Sequence, residues 1–331
     1  MRAYAYKNTE EIIAKSSSGG AFSALIDAVY EISSEAPVVI GAVWDELMRV
    51  SHQAAFTRPE CERFHGSKYV QSDLHGVFEA IRDHLSENRT VLFSGTPCQI
   101  HALNCYTSKH AIPIDHLYTI DVICHGTPDP IIWLDFIRWL EKRHNDRVTY
   151  FSFRDKQKGW KGYQARATFK ASGNLLDGYD VRTFTRMYFS LLVLRRRCFS
   201  CPHTSLNRPS DITLGDFWGV EQVMPHIFPG KGVSLVLVNT RKGESLASRA
   251  VQAAQRDKEH GVSMQPCDTH GFISHQSNLC KPHVMPRVYE QFWKDYTERG
   301  FDYVIRKYRF FTAANHIRFI MGKCRRMLLK R

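Results

Sequence analysis

Between residues 20 and 143 the sequence alternates between stretches with helical spacing of apolar residues and brief runs that are apolar almost throughout. GAFSALIDAVYEI (20–32) places Phe22, Leu25, Ile26 and Val29 on one helical face. After Pro37, VVIGAVW reads as a buried strand. A helix over 73–85, a strand at TVLFSG, a helix over 99–107, a strand at LYTIDVI and a helix over 131–143 follow. In the last of these Ile132, Phe136, Trp139 and Leu140 share a side. Strands separated by helices of this length predict an α/β fold, with a mixed, mainly parallel sheet core and flanking helices. From 148 to 170 the period becomes strand-like (VTYFSF, then QARATF), which predicts a β-hairpin insert. GVSLVLVNT (232–240) reads as a further core strand, and helical signals dominate from there to the end.

The chain has 331 residues, enough for one large domain or two closely packed ones with a real core. The opening MRAYAYKNTEEIIAK has no apolar signal region, and no run approaches the ~18 apolar residues that span a bilayer. A cytoplasmic location is therefore expected. The formal net charge of +12 is concentrated in the tail: nine Lys and Arg and no acidic residue lie between Arg306 and Arg331, leaving +3 for everything before. A nearly neutral body without a basic, aromatic-laced stripe speaks against a nucleic-acid partner. On a helix, Ile317, Ile320, Met321, Cys324 and Leu328 of the tail share a face, with Arg318, Lys323, Arg325 and Arg326 largely elsewhere. A basic amphipathic segment of this kind can contact an anionic membrane surface, peripherally at the inner face, or dock on protein.

In a reducing compartment nine cysteines are not a disulfide framework, so their company decides their meaning. Two sharp loops at predicted strand ends each carry one, Cys98 in VLFSGTPCQ and Cys124 in TIDVICHGTP. RRRCFSCPH adds the pair Cys198 and Cys201. Four thiolates suit an iron–sulfur cubane or a tetrahedral zinc. The spread of the ligands and the preceding Arg195, Arg196 and Arg197 lean toward a cluster, because positive charge favours a centre that gains electrons. SSSGG (16–20), directly before a helix, can cradle a phosphate through backbone N–H groups and hydroxyls, or be a plain N-cap loop. HGSKYVQSD offers Lys68 beside a glycine, FRDKQKGW groups Arg154 with Trp160 in a loop suited to an anionic or planar ligand, and DITLGDFWG ends a strand at Asp216. Each also reads as an ordinary turn, charged loop or cap.

In order, KSSSGGAFSAL, GSKYVQSD, VLFSGTPCQI, DVICHGTPDP, FRDKQKGW, CFSCPH and NRPSDITLGDFWGVE with KGVSLVLVNT resemble the coenzyme F420 hydrogenase/dehydrogenase beta-subunit family, over roughly residues 3–305. The resemblance implies FAD and a 4Fe–4S cluster, with two-electron exchange between the flavin and a small organic redox substrate, deazaflavin-like or other. It carries cluster ligation to Cys98, Cys124, Cys198 and Cys201, and flavin contacts to Ser17, Ser18, Gly19, Gly20, Lys68 and Tyr69, with Arg154 and Trp160 at the flavin or substrate. His125 and Asp216 are candidate proton donors by location, while Cys61, Cys105, Cys267, Cys280 and Cys324 read as structural. It divides the chain into an N-terminal family module (1–80, flavin phosphate loop), a C-terminal family module (81–245, cluster and flavin or substrate site), a helical region (246–305) and the basic tail (306–331). Many members carry a ferredoxin-like module ahead of the first motif, and this chain starts after it. The implied partner is then a separate ferredoxin or ferredoxin-like electron carrier. The alternatives are a non-catalytic electron-transfer or assembly subunit, for example in polysaccharide biosynthesis, and a zinc-stabilised scaffold.

Overall fold

A computed structural model describes residues 1–157, 159–227, 230–267, 269–312, 314–317, 319 and 321. The strands are β1 (Arg2–Lys7), β2 (Val38–Trp44), β3 (Val50–Ala55), β4 (Val91–Gly95), β5 (Leu117–Val122), β6 (Val148–Asp155), β7 (Gln164–Phe169), β8 (Gly173–Leu176), β9 (Ile212–Asp216), β10 (Ser234–Val238) and β11 (Ser263–Cys267). The helices are α1 (Glu10–Lys15), α2 (Ala21–Ile32), α3 (Val77–Ser86), α4 (Pro97–Lys109), α5 (Pro130–His144), α6 (Thr183–Phe189), α7 (Val220–Val223), α8 (Arg241–Arg256), α9 (Thr269–Ile273), α10 (Tyr289–Arg299) and α11 (Phe301–Lys307). Eight strands form one sheet in the order β11-β1-β10-β9-β5-β4-β2-β3. The core run β2, β4, β5, β9 is parallel, and antiparallel pairs extend it on both sides. The expected mixed α/β sheet with a parallel core is therefore the fold. The single sheet draws strands from residues before 80, from 81–245 and, through β11, from beyond 245.

Local chemistry sets the helix starts. Gly20 precedes α2 in the left-handed conformation (φ 84°), where a side chain would also meet Asn8 and Ile12 at 2.9 Å. Helix α4 opens with a capping box between Thr96 and Gln99 and with proline in its first turn. Asp129 caps α5 by accepting the Ile131 N–H at 3.0 Å, and Asn145 ends it in the left-handed region. Helix α2 buries Leu25, Ile26 and Val29 and packs against α8.

The predicted hairpin insert is the three-stranded antiparallel sheet β6-β7-β8. With α5, α6, α10 and α11 it encloses an aromatic core around Trp133, Phe136, Phe151, Phe153 and Phe184. That core extends to Phe310 and Phe311, both buried, so the first residues of the expected tail belong to the body. Of the residues expected to form the apolar face of the tail, Ile320, Cys324 and Leu328 lie outside the described residues. Ile317 and Met321 are exposed.

Three strands differ from the sequence expectation. RAYAYK, read as a polar opening, is β1 in the interior of the sheet, paired to β10 and β11. The terminal strands β3 (VSHQAA) and β11 (SMQPC) carry polar residues and no clear period. Pairing with the neighbouring strand, which sequence periodicity does not report, defines them.

Candidate functional site

The parallel core brings the C-terminal ends of β4, β5 and β9 together, since Gly95 pairs with Asp121 and Val122 with Leu214. The antiparallel neighbours complete that end: Asp216 pairs with Ser234, and Ser234 with Tyr6 at the end of β1. Open α/β sheets collect ligands in the crevice beyond such strand ends. A cavity of about 490 Å³ lies there. It brings together Ser17, Ser18, Gly20, Lys68, Tyr69, Arg154, Cys124, His125 and Asp216 from separate sequence motifs.

At one end the SSSGG loop packs against the start of β10. Ser18 Oγ donates to the Val233 carbonyl at 2.8 Å, and Ser17 Oγ accepts the Ser67 N–H at 2.7 Å, which leaves its own O–H for a ligand. Gly19 is not in the lining. A Cβ there would stand 2.3 Å from the Tyr6 carbonyl oxygen and 2.5 Å from the Ser234 nitrogen, so its smallness serves the chain's own packing. Lys68 lines the cavity, but its ammonium nitrogen reaches the carbonyls of Arg63, Phe64 and His65 at 3.2, 3.2 and 3.0 Å. Its three donors thus close the turn before it. Burial pushes this amine down to about 7.

Across the cavity Arg154 is buried beside Asp216, with Nη1 to Oδ2 at 2.6 Å, and Nη1 also reaches the Tyr69 hydroxyl at 3.3 Å. Its guanidinium lies over the rings of Tyr163 (4.5 Å) and Trp218 (5.5 Å). Burial alone would lower its pKa, but Tyr69 and Asp216 hold it above the usual arginine value. Trp160 stands behind the wall: buried, stacked on Trp218 at 4.9 Å, and donating Nε1–H to Asp216 Oδ1 at 3.0 Å. Asp216 thus accepts from both Arg154 and Trp160 and orients them. His125 also lines the cavity. Its Nδ1 faces His283 Nε2 at 3.0 Å, while its Nε2 is buried without a hydrogen-bond partner. Burial, then His283, pushes its imidazole down to about 4.

Cys124 borders the same cavity from the β5 end. Burial pushes its thiol up to about 12; Cys98, Cys198 and Cys201 act in the same direction and the Gly126 N–H, at 3.3 Å from Sγ, against it. Thr127 N–H points at Cys198 Sγ from 3.5 Å. Cys98 sits in the first turn of α4 and Cys198 in the short helix Arg196–Ser200, with Cys201 directly after it. The four predicted thiols thus share one locality, each close enough to the Cys124 thiol to perturb it. Among the described residues no three His, Cys, Asp or Glu side chains converge tightly enough to hold a single metal ion. Of the other cysteines Cys61 is buried, as a structural residue should be, whereas Cys105 and Cys280 are exposed. Cys324 lies outside the described residues.

Several lining residues carried no motif. Tyr188 stacks on Tyr69 (4.9 Å, 10° between planes) and donates to the Gly126 carbonyl at 3.2 Å. His52 is buried between Ser72 Oγ and the Ser94 carbonyl, both at 2.8 Å, and Gln99 donates to the same serine at 2.9 Å. Each looked like ordinary core or loop sequence. Tyr188 and His52 lie outside the motifs quoted above, whereas Ser72 belongs to HGSKYVQSD and Ser94 and Gln99 to VLFSGTPCQ.

Fold and site together define an α/β protein with a crevice at the ends of its parallel strands, bordered by Cys124. A family model for the C terminus of the coenzyme F420 hydrogenase/dehydrogenase beta subunit matches residues 88–262, more than half of the chain, and the chain belongs to that family. The matched span holds all four cysteines of the site together with Arg154, Trp160 and Asp216. Membership relates the chain to hydrogenase and dehydrogenase beta subunits, a redox context. A chain of the xenon-derivatised F420-reducing NiFe hydrogenase complex from Methanosarcina barkeri shares the fold, with a TM-score of 0.54 at 17% identity over 90% of this chain and 92% of that one. No curated protein matches the sequence.

Proposed function

We propose that this chain is an iron–sulfur flavoprotein oxidoreductase, passing electrons between a small organic substrate and a ferredoxin-type partner. The observation that carries this reading is Cys124, which belongs at once to the four-thiol locality and to the lining of the cavity. A cofactor in the cavity and a cluster on the cysteines would then be neighbours, as electron transfer between them requires. The all-thiol donor set, with N–H groups aimed at two of the sulfurs, suits an iron–sulfur cluster. The cavity, with its aromatic wall and a loop at the start of α2, suits FAD.

When bound, FAD would supply hydride exchange and the cluster one-electron transfer. The chain's own part is binding and orientation. The Ser17 hydroxyl and the backbone of Ser18 and Gly20 would take the phosphates at the start of α2. Tyr69, Tyr188 and Tyr163 would wall a planar ring, and His125 Nε2 would offer it a hydrogen bond. Arg154, held by Asp216, keeps the far wall rigid. The F420-reducing relative belongs to a hydrogenase complex, which supports a protein partner for this chain as well. The basic segment after Phe311 remains a candidate for contact with an anionic membrane surface.

Anaerobic purification followed by assays of iron, sulfide, zinc and released flavin tests the proposal. About four irons and one flavin per chain are expected. The Cys198→Ser variant should lose the iron and keep its fold by circular dichroism. Zinc without flavin would overturn the enzyme reading in favour of a scaffold, and full iron in the serine variant would overturn the ligand set.

A further inference from the structure

Arg208 lies outside the cavity, in the loop that runs from Cys201 to β9, and its side chain is 1% exposed. All three guanidinium nitrogens are engaged, and they join three parts of the chain. Nη2 pairs with Asp121 Oδ2 at 3.0 Å and donates to the Val122 carbonyl at 3.2 Å, both at the end of β5. Nη1 donates to the carbonyls of His203 at 2.6 Å and Ser205 at 3.4 Å, both in the Cys201 loop. Nε donates to Thr213 Oγ1 at 3.2 Å, on β9. The Asp121 side chain is fully buried three residues before Cys124.

A buried ion pair is a poor stabiliser, since taking both charges out of water consumes most of what their attraction returns. Apolar residues would join the same elements at least as well. What the planar fork adds is direction, through its hydrogen bonds to the Val122, His203 and Ser205 carbonyls and to Thr213 Oγ1; Asp121 supplies the counter-charge at 3.0 Å without hydrogen-bond geometry. The far end of the loop it holds is tied down by other contacts, Asp211 with Thr119 and Thr240 and Ser210 with Asn239, whereas next to Cys201 the side-chain bonds are those of Arg208 and of Thr204 Oγ1 to the Cys201 carbonyl. From 201 to 211 it has no helix or strand, and Arg208 itself binds two of its carbonyls. Asn104 on α4 anchors the loop from outside, through the Pro209 carbonyl at 2.8 Å.

We infer that Arg208, paired with Asp121, is a positioning residue that locks the Cys201 loop onto the strand leading to Cys124, so that the two thiols are held in register before anything binds them. The inference rests on the reading of these cysteines as ligands, and the experiment separates the two. Metal-free protein is treated with dibromobimane, and cross-links between Cys124 and Cys201 are mapped by peptide mass spectrometry. The wild type is compared with Arg208→Lys, which keeps the charge and loses the fork, and with the isosteric Asp121→Asn. In parallel, reconstituted proteins are followed for iron release to a chelator. Both variants should fold by circular dichroism, cross-link markedly less, and release iron about tenfold faster, as expected when a supporting contact of a metal ligand is removed. Folded variants that cross-link and hold iron like the wild type overturn the inference. Two variants that both fail to fold also overturn it, by showing the pair to be a general structural element. If cross-linking depends on Arg208 while the wild type takes up no iron, positioning stands and the cluster reading falls.

Discussion

His52 shows how one side chain can tie the pH response to the site. Gln99 donates to Ser72 Oγ, so the serine hydroxyl is free to donate to His52 Nδ1, and Nε2–H then donates to the Ser94 carbonyl. That chain of donors is satisfied by the neutral imidazole. Burial foremost, with the Lys68 charge adding, pushes the residue down to about 4, against the opposing pull of the Ser94 carbonyl. The unfolded chain takes up this proton below a pH of about 6.5 and the folded chain resists it. The contribution of His52 to stability is therefore full above about 6.5 and is lost as the pH falls toward 4, by at most about 1.4 kcal/mol per pH unit. Urea midpoints measured between these values should fall less steeply with acid in His52→Gln; an unchanged slope would refute the assignment. Arg154 supplies a second residue-scale test. Arg154→Met leaves Asp216 in the wall without its cation, and loss of one partner of a buried pair costs about 3 kcal/mol. Urea denaturation should show that loss, together with weaker retention of flavin.

Among the elements, α4 links stability to the thiol locality. Its capping box joins the Thr96 N–H to Gln99 Oε1 at 2.9 Å, with Cys98 between them, and Gln99 reaches on to Ser72 and so to His52. The start of this helix therefore sets one thiol and braces one wall of the cavity. Thr96→Ala should cost about 1 kcal/mol by urea denaturation, the usual value for a lost cap. Iron retention should fall with it, and a variant as stable as the wild type would show that the cap is redundant. The three-stranded sheet β6-β7-β8 has a different part. It carries Arg154 on β6, and the loop after that strand brings Lys156, which donates to the Ile13 carbonyl at 2.8 Å and bonds the Ser18 carbonyl, so the insert grips the SSSGG loop.

For the whole molecule, Phe310 and Phe311 are the last buried rings among the described residues, and beyond them His316 and Phe319 still lie against Tyr179. Deleting residues 313–331 should lower the unfolding midpoint slightly, by removing His316 and Phe319 from Tyr179 and His316 from Arg143, whereas deletion from 306 should lower it much more by also removing two core rings. If the tail meets anionic membranes, the shorter deletion should abolish co-sedimentation with vesicles rich in phosphatidylserine, and equal sedimentation would dispose of that role. Among the described residues no helix is long and apolar enough to cross a membrane.

Much of the architecture was legible in advance, because it rests on local rules. Helices such as α2 and α5 announce themselves through apolar spacing and caps, and β2, β4 and β5 through short runs apolar on both faces. The four cysteines, Arg154 and the SSSGG loop were legible as residue types in suggestive surroundings. Tertiary structure alone decided which of them meet. Three parallel strands carry Cys98, Cys124 and Asp216 to one end of the sheet, and β10 returns the serine loop to the same place. It also decided that Gly19 serves packing, that Lys68 closes a turn, and that β1, β3 and β11 are strands at all. The pair Arg208–Asp121 had no sequence signature, since its partners belong to separate segments and nothing local distinguishes either residue. Periodicity reports how a segment meets its own surroundings; the partner across the fold is set by the pairing of strands far apart in the chain.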